Sequence, residues 1–181
     1  MFPVVHAALG PKMSAPIPAV DRLIGEIAEG LGDMLARQGR TDPLMVGIRT
    51  GGVWVAERLH GMLGLSAPLG TLNINFYRDD FTRIGMHPRV TPSNLPFAVQ
   101  DRHIVLIDDV LHTGRTIRAA LNEIFDYGRP ASVTLAVLVE RSGRELPIHP
   151  DVVGQALDLT LNQYIKLVGP DPLRLVIQHA A

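Results

Sequence analysis

Apolar residues along the chain follow two periods, and the periods alternate. From Val20 to Arg37, Leu23, Ile24, Ile27, Leu31, Met34 and Leu35 recur at spacings of three and four, which predicts an amphipathic helix. After the turn residues Asp42-Pro43, the continuous run Leu44–Ile48 reads as a strand buried on both faces. Arg49-Thr50-Gly51-Gly52 breaks that run, and helical spacing resumes over Val53–Leu63, where Trp54, Met62 and Leu63 read as core. Alternation over Leu72–Tyr77 predicts a second strand. His103–Ile107 is a further buried-strand run, followed by a turn, a helix from about Gly114 to Tyr127, and a stop at Gly128. Ser132–Val139 predicts another strand, with shorter strand-like pieces at Asp151–Val153, Asp158–Leu161 and Leu173–Ile177.

Strands alternating with helices imply an α/β fold with a parallel sheet covered on both faces, and such sheets bind ligands beyond the carboxyl ends of their strands. Two segments escape the periodicity. The leader, residues 1–18, is apolar but broken by four prolines and lacks the basic start of a signal peptide. Asp79–Gln100 carries Gly85, Pro88, Pro92 and Pro96, and a stretch that long without structure is expected to be functional or mobile. With no repeat and no linker, residues 1–181 read as one domain, with 140–181 as a small hood and C-terminal strands.

Composition narrows the class only a little. The 181 residues are 46% hydrophobic and 19% charged, ordinary for a globular protein. Cysteine is absent, which excludes disulfides, thiolate zinc sites and a cysteine nucleophile, and fits a cytoplasmic location. No apolar run is long enough for a membrane span. A net charge of −1 gives no reason to expect nonspecific nucleic-acid binding.

The chemistry concentrates in Ile104–Thr116. A buried strand ends in the adjacent carboxylates Asp108 and Asp109, and a turn then leads through Thr113 and Gly114 to Thr116, where a helix begins. A helix N-terminus offers free N–H groups and the positive end of its dipole, which suits a phosphate monoester. Carboxylates cannot bind that phosphate, so the acids face hydroxyls or a metal; a ribose 5-phosphate meets both demands. The missing GxxxxGK[ST] and GxGxxG exclude Walker-type and Rossmann phosphate loops.

This segment resembles the phosphoribosyl pyrophosphate (PRPP) signature of type I phosphoribosyltransferases. Over most of residues 20–156, Val46–Gly52, Tyr77–Asp80, Gly128–Pro130, Leu138–Arg141, Arg144–Ile148 and Asp151–Gly154 occur in an order similar to that of the branch combining pyrimidine-operon regulation with uracil transfer. The resemblance implies the type I fold, a parallel sheet flanked by helices with a C-terminal hood and a flexible lid. It also implies Mg²⁺ dependence, PRPP and uracil as substrates, UMP and pyrophosphate as products, and a homodimer or higher homo-oligomer.

It assigns roles as well. Asp108 and Asp109 orient ribose hydroxyls and contribute to the metal shell; Leu111, His112, Thr113, Gly114, Arg115 and Thr116 hold the 5-phosphate. Arg49, Thr50, Gly51 and Gly52 hold pyrophosphate, joined by Arg78, Arg83 and Arg89 of the lid. The branch more often carries a bulky basic residue at the position of Gly51. Arg141 reads a base carbonyl, the alternative being an ion pair with Glu140, while backbone groups near Val152 and Val153 complete base recognition. Asp151 touches the Mg²⁺ shell or else caps its turn; His112 either helps proton transfer on the base or is a spectator. Two further readings remain open. One is a UMP-sensing RNA-binding regulator, against which the acidic first helix counts; the other is a purine phosphoribosyltransferase.

Overall fold

The computed structural model describes residues 19–74 and 92–179. Helix α1 (Val20–Arg37) forms where the periodicity predicts. Asp21 in its first turn and Arg37 in its last complement the helix dipole. Its inner face, including Leu23, Ile24, Ile27 and Leu31, is fully buried, each such side chain being worth about 1.5–3 kcal/mol. Strand β1 (Leu44–Ile48) is buried at every position, as a central parallel strand requires. Helix α2 (Gly51–Met62) follows at once and lies close on β1: a Cβ at Gly47 would stand 2.8 Å from Val53 Cα.

Strand β2 (Gly70–Leu72), strand β3 (His103–Leu111), helix α3 (Arg115–Tyr127), strand β4 (Ser132–Arg141) and strand β5 (Val152–Leu157) complete a five-stranded parallel sheet in the order β2-β1-β3-β4-β5. One apolar cluster fills the α1/α2 face and another the α3 face. Strands β6 (Gln163–Val168) and β7 (Arg174–His179) pair antiparallel in a separate small sheet, seated by Ile165, Leu167 and Leu173 on the α1/α2 cluster.

The chain moves outward from β1 to β2 on one side, then returns to β3 and runs outward through β4 to β5 on the other. The strand order therefore reverses between β1 and β3. A crevice opens beyond the carboxyl ends of strands at such a switch point, and both chemically suggestive loops, Arg49–Gly52 and Asp108–Thr116, leave these two strands.

Several expectations need correction. Strand β3 continues to Leu111, so the acids lie within the strand rather than after it. The alternating run from Leu72 yields strand only to Leu72, and the remainder of that prediction from residue 75 lies outside the described residues. Asp158–Leu161 is not a strand; the hairpin begins at Gln163, where Ile165 and Leu167 supply the buried side. Strand β5 joins the main sheet rather than the small one. Met62, at the end of α2, is 59% exposed, and Trp54 is only partly buried.

Candidate active site

The geometry begins with the two glycines that open α2. A Cβ on Gly52 would stand 2.7 Å from the Ile107 carbonyl oxygen and 3.0 Å from Asp108 Cα, so only glycine lets this turn lie against the backbone of β3. Gly51 faces the next residue along β3: its Cβ would overlap the Asp109 carboxylate, with Cγ at 2.6 Å. Thus the loop after β1 and the acids at the end of β3 touch each other. The Arg49–Thr50 peptide between them and β1 is cis.

Asp108 is 2% exposed, and its Oδ1 accepts a hydrogen bond from the Asp109 N–H at 2.9 Å. Asp109 is less enclosed. It lines a cavity of about 500 Å³ together with Thr50, Gly51, Trp54 and Val110, and on the far wall Tyr164 to Leu167 of β6. Arg49 is not part of that lining. Its backbone N–H bonds the Leu72 carbonyl, its guanidinium lies 3.4 Å from Thr71 Oγ1, and its Nε is buried without a partner among the described residues.

On the other side of the acids the chain turns into α3. Gly114 is the N-cap residue with φ of +94°, a conformation that glycine adopts without strain. The Arg115 N–H donates to Thr113 Oγ1, leaving Thr116 half-buried in the first helical turn. The segment after β4 closes over this turn. The Glu145 and Leu146 N–H groups both donate to the Thr113 carbonyl, Arg144 donates to the His112 carbonyl and to Glu140, and Arg115 pairs with Glu145. Leu111 is buried beneath, in the α3-side core. The whole stretch Leu111–Thr116 is therefore one stapled unit following the acid pair.

His112 lies under this cover. Burial holds its imidazole below its ordinary pKa of 6.5, with Arg141 and Arg144 acting in the same direction and Glu145 against them. The ring occupies space that a side chain at residue 143 would need, since a Cβ on Gly143 would lie 2.8 Å from Nε2.

The remaining expected residues are less tightly grouped. Glu140 pairs with Arg144 rather than Arg141, whose guanidinium, among the described residues, reaches the Thr160 carbonyl at 3.5 Å. Val152 packs toward Gly30 of α1 and Val153 toward the α3-side core, so their side chains serve the core; as part of an edge strand, one side of their backbone is unpaired within the sheet. Asp151 does not reach the acid pair. It bonds Leu135 through both its N–H and its carboxylate, level with Leu106 and two strands across from β3, so its carboxylate anchors the start of β5. Arg78, Arg83 and Arg89 lie outside the described residues. Sequence reasoning missed the role of Arg144, which ties the β4–β5 segment to the phosphate-type turn, and it missed the β6 wall; the alternation in Gln163–Val168 was the available signal.

Among the described residues, no cluster of three or more His, Asp or Glu side chains could hold a metal ion. Mg²⁺ commonly keeps several waters and takes one or two carboxylates plus substrate phosphates. The Asp109 carboxylate on the cavity wall, with Asp108 buried behind it, fits an ion of that kind carried by a phosphorylated substrate.

A parallel sheet with paired acids ahead of a glycine turn into a helix N-terminus is the arrangement of a phosphoribosyltransferase. Residues 15–171 match the phosphoribosyl transferase domain. The chain is 64% identical over 172 residues to the bifunctional protein PyrR of Nitrosococcus oceani, covering 92% of this chain and 97% of that one. It is 56% identical over 169 residues to the bifunctional protein PyrR of Pseudomonas fluorescens, covering 93% and 99%. Among solved structures it resembles a purine phosphoribosyltransferase of Pyrococcus horikoshii (TM-score 0.58, 27% identity, 76% and 83% covered). In fold it also resembles a hypoxanthine phosphoribosyltransferase of Trypanosoma cruzi (TM-score 0.63, 18% identity, 90% and 95% covered). The chain belongs to the phosphoribosyl transferase domain family, in its PyrR branch.

Proposed function

We propose that the protein transfers the phosphoribosyl group of PRPP to uracil, giving UMP and pyrophosphate. The observation that carries this reading is the contact between the Gly51–Gly52 turn and the Asp108–Asp109 pair at the switch point, with the N-terminus of α3, free of any side-chain cap, a short turn after the acids. Ribose hydroxyls bond the two carboxylates, and the 5-phosphate sits against the Leu111–Thr116 turn. The pyrophosphate end then extends into the cavity beside Thr50 and Gly51.

In the reaction the bond from C1 to the pyrophosphate oxygen breaks, and its electron pair leaves with pyrophosphate. The uracil N1 electron pair forms the new bond to C1, and the N1 proton passes to water. Positive charge grows at C1 as the leaving group departs, and the neighbouring carboxylates of Asp108 and Asp109 stabilise it. Fixing both reactants in line supplies much of the remaining acceleration. Asp109 on the cavity wall would help hold a substrate-borne Mg²⁺, which would supply charge neutralisation for the leaving group. No covalent nucleophile is required.

The test is product formation from PRPP and Mg²⁺ with each of uracil, orotate, hypoxanthine, guanine and xanthine, with and without chelator. UMP from uracil alone, lost on chelation, is the expected result. A purine nucleotide would keep the mechanism and overturn the acceptor.

The bifunctional name of the relatives favours a second role, regulation of pyrimidine genes by the UMP-loaded protein. Direct RNA binding through α1 is disfavoured by its exposed face, where Asp21, Glu26, Glu29 and Asp33 outnumber Arg22 and Arg37. Titrating pyrimidine-leader RNA with and without UMP tests this role directly.

A further inference from the structure

The proposed pyrophosphate pocket has a charge problem. Its loop carries Gly51, which has no side chain, and Arg49 is turned toward Thr71 outside the cavity. Pyrophosphate is a concentrated anion, and Asp109 on the cavity wall adds further negative charge. A basic group on the cavity wall would offset that charge alongside Mg²⁺.

Among the described residues lining the cavity, Lys166 is the only basic one. It stands on β6, across from Thr50, Gly51 and Asp109. Its position on the hairpin is fixed from both sides in sequence, because Ile165 and Leu167 are buried in the core at 7% and 3% exposure. Lys166 itself alternates to the exposed face, and among the described residues its charge is not committed to an ion pair. Tyr164, two residues earlier on the same face, lines the cavity as well and offers a phenolic hydrogen bond.

We propose that Lys166 is a pyrophosphate-binding residue, reaching from the C-terminal hairpin to supply the cation that the Arg49–Gly52 loop does not put into the cavity. This rests on the assignment of the cavity to PRPP. It makes the small sheet part of the active site and gives the β6–β7 pair a function beyond covering the core. An ammonium is well matched to this role, because it acts as a point charge on phosphate oxygens and does not demand the planar geometry that an arginine fork does.

Wild type is compared with Lys166→Gln and Lys166→Arg by calorimetric binding of PRPP, pyrophosphate and UMP in Mg²⁺. UMP carries the 5-phosphate but no pyrophosphate, so it reads the rest of the site. Lys166→Gln is expected to weaken PRPP and pyrophosphate by about 10- to 100-fold, the worth of one charge-assisted hydrogen bond, and to leave UMP unchanged. Lys166→Arg is expected to recover most of the loss, and the salt dependence of pyrophosphate binding should shrink in Lys166→Gln. Unchanged PRPP and pyrophosphate affinity in Lys166→Gln, or a parallel loss of UMP, would overturn the role of Lys166 alone. A wild type that binds UMP but neither PRPP nor pyrophosphate would overturn the transferase reading, and this inference with it.

Discussion

Replacing Gly52 with alanine tests the central geometric claim, that α2 begins in contact with the backbone of β3 at the acid pair. The added Cβ would lie 2.7 Å from the Ile107 carbonyl oxygen, where ordinary contact begins at 3.4 Å, so about 0.7 Å must be made up. The obstacle is backbone in the middle of a parallel sheet, paired to β1 and β4, and cannot rotate away as a side chain does. The first turn of α2 or the end of β3 has to shift, at a cost of about 1–3 kcal/mol for overpacking. For a chain of this size, that is roughly 2–4 °C in Tm per kcal/mol. Because Asp108 Cα is the second contact, at 3.0 Å, the same shift moves the acids. Displacement on the scale of 1 Å at a reacting centre lowers kcat/KM by about 10²-fold.

Gly25→Ala is the matched comparison. It lies inside α1 with nothing within 4 Å of its Cβ, so it should gain about 0.5–1 kcal/mol from helix propensity and unfolded-chain entropy. Both variants are measured by thermal melting and by steady-state UMP formation. A Gly52→Ala protein that melts at or above wild type, or keeps full kcat/KM, would refute the contact between α2 and the acid pair.

Asp108→Asn and Asp109→Asn should each lower kcat for UMP formation by about 10²–10³-fold, with melting curves serving as the check on folding; full activity in the double variant would place the site elsewhere. Arg144→Ala strips partners from the His112 carbonyl and Glu140, costing about 1–3 kcal/mol of stability and raising KM for PRPP more than it lowers kcat. For His112 the folded protein holds the imidazole neutral to lower pH than the unfolded chain does, so the unfolded state binds more protons as pH falls below 6.5. Its contribution to stability is complete above that value and declines below it until the folded pKa is passed. His112→Gln should therefore flatten the fall in Tm on acidification from pH 6.5, measured by thermal scans across that range.

The order in which the chain reveals itself follows from what each residue answers to. Leu44–Ile48 and Val20–Arg37 were legible because burial imposes a period on the chain itself. Asp108 and Asp109 stand out for a different reason: two adjacent carboxylates in a hydrophobic strand conflict with its burial. At the site, two points that the sequence left open turn on contacts between segments distant in sequence. Asp151 looked available because the Leu135 N–H that occupies its carboxylate lies 16 residues earlier. Glu140 looked like a partner for the adjacent Arg141, yet on an extended strand neighbouring side chains point to opposite faces, and Arg144 takes it after the chain has turned.

The far wall of the cavity was hidden for a related reason. A lysine between Ile165 and Leu167 carries no local signal, because alternation demands a polar residue there whether or not a ligand is near. Only tertiary placement distinguishes a solvated lysine from one facing an anion. What the sequence did carry was half of the pair: Gly51 puts no side chain into the Arg49–Gly52 loop, and Arg49 is the one cation that loop offers. Arg49 stays out of the cavity lining, and the hairpin is the element that brings a cation to the cavity wall. Gly51→Lys would force Asp109 from its contact at that position. In a Lys166→Gln background it should therefore recover pyrophosphate affinity while leaving kcat depressed. Recovery of both would mean that Asp109 tolerates the displacement, and that its contact with Gly51 is dispensable for catalysis.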